Sequence, residues 1–174
     1  MSTDLHETLR GLASRPLTDA ELRALTALLV AEPPAVVADA AAAADVFTPM
    51  LVNGEEERLG VAAIDRQARI IDKAILTVGA FGYTVVDNAK VLRWVLTRER
   101  PASGFIIAHN HPSGDHRPSA EDDAVTKRLA EAANLIGVRL IDHVIVTFGG
   151  SYSYARQGRM PERFAGEYPP PFTG

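Results

Sequence analysis

Apolar residues recur at helical spacing through the first third of the chain. Leu5, Leu9 and Leu12 share one stripe, and Leu22, Leu25, Leu28 and Leu29 share a second. Thr18 is placed to N-cap the second helix, with Glu21 three residues on to complete a capping box. Pro33-Pro34 interrupts the pattern, and Ala35–Val46 follows as an alanine-rich helical segment. From Arg58 the period changes. Leu59–Ile64 reads as a buried strand, Asp65–Ala68 as a polar turn and Arg69–Thr77 as the returning strand of a hairpin. Gly79 and Gly82 mark a loop. Asp87 or Asn88 can cap a helix running to about Arg98, with Val91, Leu92, Val95 and Leu96 on its inner face.

Beyond it, Gly104–Ala108 is a short, continuously apolar strand, Pro112–Pro118 a turn-rich loop, and Ser119 opens a helix to about Leu135. Val138–Ile141 and Val144–Phe148 are strand-like, with Asp142-His143 expected to break them apart. Tyr152–Ala155 is a last short strand, and the tail with Pro161 and Pro169-Pro170-Pro171 is expected to be irregular. Alternating strands and helices place the chain in the α/β or α+β class, with helices against a mixed sheet.

Composition narrows the picture. A length of 174 residues fits one domain with a core of its own, and 47% hydrophobic residues is ordinary for a globular chain. No apolar run approaches the length of a membrane span, and Met1–Ser14 lacks the basic and apolar regions of a secretory signal. The absence of cysteine fits a reducing cytoplasm and removes every thiolate zinc site, so any zinc must be held by histidine and carboxylate. The net charge is −4, and the densest basic cluster, Arg93, Arg98 and Arg100, is interrupted by Glu99. That cluster reads as a solvated helix end, and nucleic acid is disfavoured as a partner.

The densest chemistry lies at Ala108-His109-Asn110-His111-Pro112-Ser113-Gly114. Side chains at i and i+2 of a strand share a face, so His109 and His111 can bind one ion. Asp122 follows at H-x-H-x10-D spacing, which completes three ligands and leaves a tetrahedral zinc one position for water. Ser119 and Asp122 also form an S-x-x-D capping pattern, and Glu121, Asp122 and Asp123 suit a helix N-terminus, so Asp122 has a structural reading beside the ligand one. Glu55-Glu56-Glu57, taken alone, is a solvated turn. Competing zinc motifs fail: there is no H-E-x-x-H, and the nucleoside deaminase signature needs cysteines.

The whole string from His109 to Gly114, with Pro118-Ser119 and Asp122 downstream, resembles the JAMM/MPN+ metalloprotease motif in its bacterial RadC-like form. Leu140–Val146 and Ser151–Arg156 resemble the strands that follow the metal helix in that family, and the likeness runs from about Glu57 to Arg156. It implies an MPN (JAB) fold, a mixed β-sheet flanked by helices of the cytidine deaminase-like type, over residues 47–157. A short helical extension would occupy 1–46 and an irregular tail 158–174. It implies His109, His111 and Asp122 as ligands of one zinc ion, with water in the fourth position. Ser119 would steady the oxyanion and Glu57 would be the general base, with Glu55 as the fallback. The activity implied is zinc metallopeptidase or isopeptidase, acting on a protein or peptide. A DNA-repair accessory with a zinc site and a scaffold that keeps metal for structure stand as alternatives. His116 reads as an exposed loop histidine, or as a substrate contact or further metal donor. His143 reads as support for the site or as a structural histidine. Oligomeric state and the bond attacked stay open.

Overall fold

The computed structural model describes residues 18–23, 35–37, 39–52, 56–79 and 87–161. The chain divides after Pro33 into two units, each taken by itself. In the first, Thr18 and Glu21 form the expected capping box: the Thr18 N–H donates to Glu21 Oε2 at 2.9 Å, and the Glu21 N–H donates to Thr18 Oγ1 at 3.3 Å. The stripes of Leu5–Leu12 and Leu25–Leu29, Glu55, the loop beyond Gly79 up to Val86, and the tail from residue 162 lie outside the described residues.

The second unit is built on a five-stranded mixed sheet. Its helices are α1 (Ala40–Leu51), α2 (Asn88–Leu96) and α3 (Ala120–Leu135), and its strands β1 (Arg58–Ile64), β2 (Ile70–Val78), β3 (Gly104–Asn110), β4 (Arg139–Thr147) and β5 (Gly150–Ser153). The strand order is β2-β1-β3-β4-β5. β1 runs antiparallel to both β2 and β3, β3 and β4 are parallel, and β5 returns antiparallel on β4. A parallel pair needs a crossover, and α3 supplies it. Period-two alternation sorts the two faces. Leu59, Val61, Phe105 and Ile107 face Val91 and Val95 of α2 and Val125, Leu129 and Ala133 of α3. Ala62, Ile64, Ile106, Ala108, Val144 and Val146 face Ala43, Phe47 and Leu51 of α1.

Three elements depart from the periodicity. The alanine-rich helix is expected over Ala35–Val46 but runs Ala40–Leu51, capped by Asp39 and carrying Pro49 inside it. Val36 instead bridges to Arg69 beside the hairpin turn. Tertiary packing overrides propensity here: Phe47 and Leu51 are buried against Gly60, where a Cβ atom would meet Phe47 at 3.0 Å. The helix therefore straddles residue 46 and packs on the sheet. Asp142-His143 does not break a strand, because β4 runs unbroken through both. Asp142 accepts from the Ser153 hydroxyl at 2.5 Å and the Ala155 N–H at 2.9 Å, so its burial is compensated. The last strand lies at Gly150–Ser153, two residues earlier than expected, because the β4–β5 reversal is tight. On α2, Val91 and Val95 are buried as expected, whereas Leu96 is exposed. No helix among the described residues is long and apolar enough to cross a membrane.

Candidate metal centre

β3 ends at Asn110, and the parallel neighbour β4 and the crossover helix α3 bracket that end, the usual place for a site in sheets of this kind. The chain reverses straight after His111. The Gly114 N–H donates to the His111 carbonyl at 3.1 Å, and Gly114 sits at φ +81°, a conformation that suits glycine. Ser119 then caps α3. Its Oγ accepts from the Asp122 N–H at 3.1 Å while the Ser119 N–H and Oγ–H donate to Asp122 Oδ2 at 2.8 and 2.7 Å. The capping box of the sequence is thus fully formed.

The same carboxylate reaches the histidines. Asp122 Oδ1 lies 3.1 Å from His109 Nε2, and the two Nε2 atoms of His109 and His111 lie 2.9 Å apart. Among the described residues these three form one group whose ligand atoms all fall within 4.8 Å of one another. Asp122 serves both roles at once: Oδ1 lies against His109, while Oδ2 takes the capping bonds of Ser119 and also lies 3.5 Å from His111 Nε2. His111 Nδ1 sits 2.6 Å from the Asp115 carbonyl, which can only accept, so Nδ1 carries a hydrogen and Nε2 is the nitrogen left for a cation when the ring is neutral. Asp115 is itself held by Arg117 at 2.6 Å.

Electrostatics follow the same lines. Burial pushes the His109 imidazole below its ordinary pKa, against the pull of Asp122. Hydrogen bonding to Asp122 pushes His111 above its ordinary value, and Glu57 adds to the upward pull on both rings. Burial works to raise Asp122, yet hydrogen bonding to His109 and His111 outweighs it and holds the carboxyl far below the usual carboxylate range. A carboxylate and two imidazole nitrogens in this arrangement could hold one cation. The donor set, two histidines and one carboxylate with an open side, fits zinc.

Glu57 approaches across the β1–β3 ladder. Leu59 pairs with His109, and the same antiparallel register carried two residues further sets Glu57 opposite His111, on the same face. Asn110, between the histidines, points to the other face and clamps the approach. Its Oδ1 accepts from the Arg58 N–H at 2.8 Å and its Nδ2 donates to the Glu56 carbonyl at 3.1 Å. Asn110→Leu is expected to orphan both backbone groups and cost about 1–3 kcal/mol, checked by urea unfolding. Neither this clamp nor Thr126, which lies one turn beyond Asp122 and therefore on its face of α3, stands out from spacing alone. His116 is half-buried beside Gly150, not exposed, and falls outside the three-residue group. His143, expected near a strand start, sits in mid-β4, fully buried, with Nε2 2.9 Å from His109 Nδ1.

Residues 37–159 match the model of the RadC-like JAB domain. The chain belongs to that family. Similar proteins include a UPF0758 protein of Coprothermobacter proteolyticus, 41% identical over 115 residues, which are 66% of this chain and 48% of that one. A UPF0758 protein of Thermotoga maritima is 38% identical over 110 residues, 63% of this chain and 49% of the relative. The RadC-like chain thus spans about half the length of these curated relatives. Its JAB-family match takes in every element from α1 to β5, including the group of His109, His111 and Asp122.

Proposed function

We propose that this RadC-like JAB chain is a zinc-dependent metallopeptidase or isopeptidase that hydrolyses an amide bond in a protein or peptide. The observation that carries the reading is the convergence of His109, His111 and Asp122 at the end of β3, with Glu57 two residues before Leu59, the ladder partner of His109. When bound, zinc supplies an acidified water and a Lewis acid for the scissile carbonyl. His109, His111 and Asp122 would hold the ion. Glu57 takes the proton of the attacking water and passes it to the leaving amine. The Ser119 hydroxyl donates to Asp122 Oδ2; turned to the developing oxyanion, it leaves that oxygen still held by the Ser119 N–H at 2.8 Å. Arg98 and Arg100 are paired with Asp72 and Asp65, which leaves little of the basic cluster for a phosphate backbone and favours a protein substrate over nucleic acid.

The test is metal analysis followed by cleavage. One zinc per chain is expected, with hydrolysis of members of a panel of peptides and isopeptide-linked conjugates, loss on chelation and recovery on zinc readdition. A chain that holds zinc and cleaves nothing in the panel would assign the metal to structure and overturn the hydrolase reading.

A further inference from the structure

We propose that Phe148, on the turn between β4 and β5, is the specificity-determining contact of the candidate metal centre, taking an apolar side chain of a peptide one or two residues from the bond to be cleaved. The cleavage it governs rests on the hydrolase reading above; the docking of the peptide does not.

Topology brings this turn to the metal end of the sheet. β3 and β4 are parallel, with Asn110 beside Val146, and the His111 N–H donates to the Val146 carbonyl at 3.3 Å. Phe148 follows two residues later. The loop that leaves His111 meets the same turn, since a Cβ atom on Gly150 would stand 3.8 Å from the His116 ring. The turn is pinned by its own side chain. Thr147 Oγ1 accepts from the Gly149 N–H at 3.2 Å and donates to the Gly150 carbonyl at 3.0 Å.

On this pinned turn Phe148 is 86% exposed, more than any other large apolar side chain among the described residues. A scattered apolar residue on a surface is ordinary. Leu135 and Ile136 are of that kind, exposed at the far end of the helix whose first turn carries Asp122. Phe148 differs in its place: it stands beside the converging ligands, on the side of His111 away from β1 and Glu57. Strands lie about 4.8 Å apart and an extended peptide advances about 3.3 Å per residue. A peptide crossing the strand ends with its scissile bond at the ligands therefore brings its next one or two side chains to Phe148. A phenyl ring offers no hydrogen-bonding group. Leucine packed on it removes apolar surface from water, and serine gains nothing there.

The experiment uses two sets of N-acetylated peptide amides on the zinc-loaded full chain, one scanned with leucine and one with serine at each position. Wild type is expected to favour leucine about tenfold in kcat/KM at one position, the worth of partly burying one such side chain. Phe148→Ser is expected to bring that ratio close to one by raising KM for the leucine peptide, with kcat and zinc content unchanged, and Phe148→Leu to restore it. A merely structural role would lower both rates and keep their ratio. An unaltered ratio in Phe148→Ser, or no leucine preference in wild type, overturns the assignment. Binding is read separately from the nitrogen-15 amide shifts of the same chain. If wild type cleaves neither set while leucine peptides shift Gly149 and Gly150, and Phe148→Ser abolishes those shifts, the hydrolase reading fails and Phe148 stands as a docking residue. Absence of both cleavage and shifts removes Phe148 as well.

Discussion

Replacing Asp122 with alanine is expected to weaken zinc binding more than a hundredfold and to destabilise the metal-free fold by about 2 kcal/mol, whereas Asp122→Asn should give the first effect without most of the second. The two carboxylate oxygens do different work. Oδ2 takes two hydrogen bonds from Ser119 and closes the first turn of α3, and losing such a cap costs about 0.5–2 kcal/mol. Oδ1 lies against the His109 imidazole, 3.1 Å from Nε2, and is the oxygen left free of the cap for a cation. Alanine removes both. Asparagine keeps an oxygen for Ser119 but turns an amide N–H₂ toward His109, a donor where the ion needs an acceptor. Competition against a chromophoric chelator measures the affinity and urea unfolding the stability. If Asp122→Asn binds zinc like wild type, Asp122 is a capping residue alone.

This double use of Asp122 bears on what could be read before the fold was known. His109 lies on β3 and His111 follows one residue past its end, and Asp122 lies in the first turn of the next helix, so their meeting needs local geometry and one short loop. The hairpin of β1 and β2 and the cap at Ser119 are local in the same sense. What escaped the sequence depends on distant partners. Asn110 acts on Glu56 and Arg58, 54 and 52 residues away, and its neighbours in the motif give no hint that it faces the other side of the sheet. The polar pair Asp142-His143 looks like a break in an apolar strand because its compensation comes from elsewhere: Ser153 and Ala155 for the acid, Thr126 and His109 for the imidazole. The displacement of α1 past Pro49 has the same origin, since the pocket for Phe47 exists only once Gly60 lies beneath it. In each case the residue type was visible and the partner that gave it meaning was not.

Glu57→Gln is expected to leave one zinc per chain and to lower the rate of amide hydrolysis by about 10²–10⁴-fold, the usual worth of a general base or acid. Glutamine has nearly the shape of glutamate and cannot accept the proton of the attacking water, so the substitution separates chemistry from architecture. The backbone around it is independently secured. The Gly79 N–H donates to the Glu57 carbonyl at 2.9 Å, and Asn110 holds both neighbours, Glu56 and Arg58. The strand therefore has no reason to move when the side chain changes. A loss of turnover with unchanged metal content then belongs to the carboxylate itself. The pH–rate profile gives a second readout, because the acidic limb set by a base that must be ionised should vanish in Glu57→Gln. Glu55→Gln is the paired control, because the β1–β3 register continued past Leu59 and His109 brings Glu57 opposite His111. Full activity in Glu57→Gln together with its loss in Glu55→Gln would move the base upstream, while full activity in both would remove these glutamates from the chemistry.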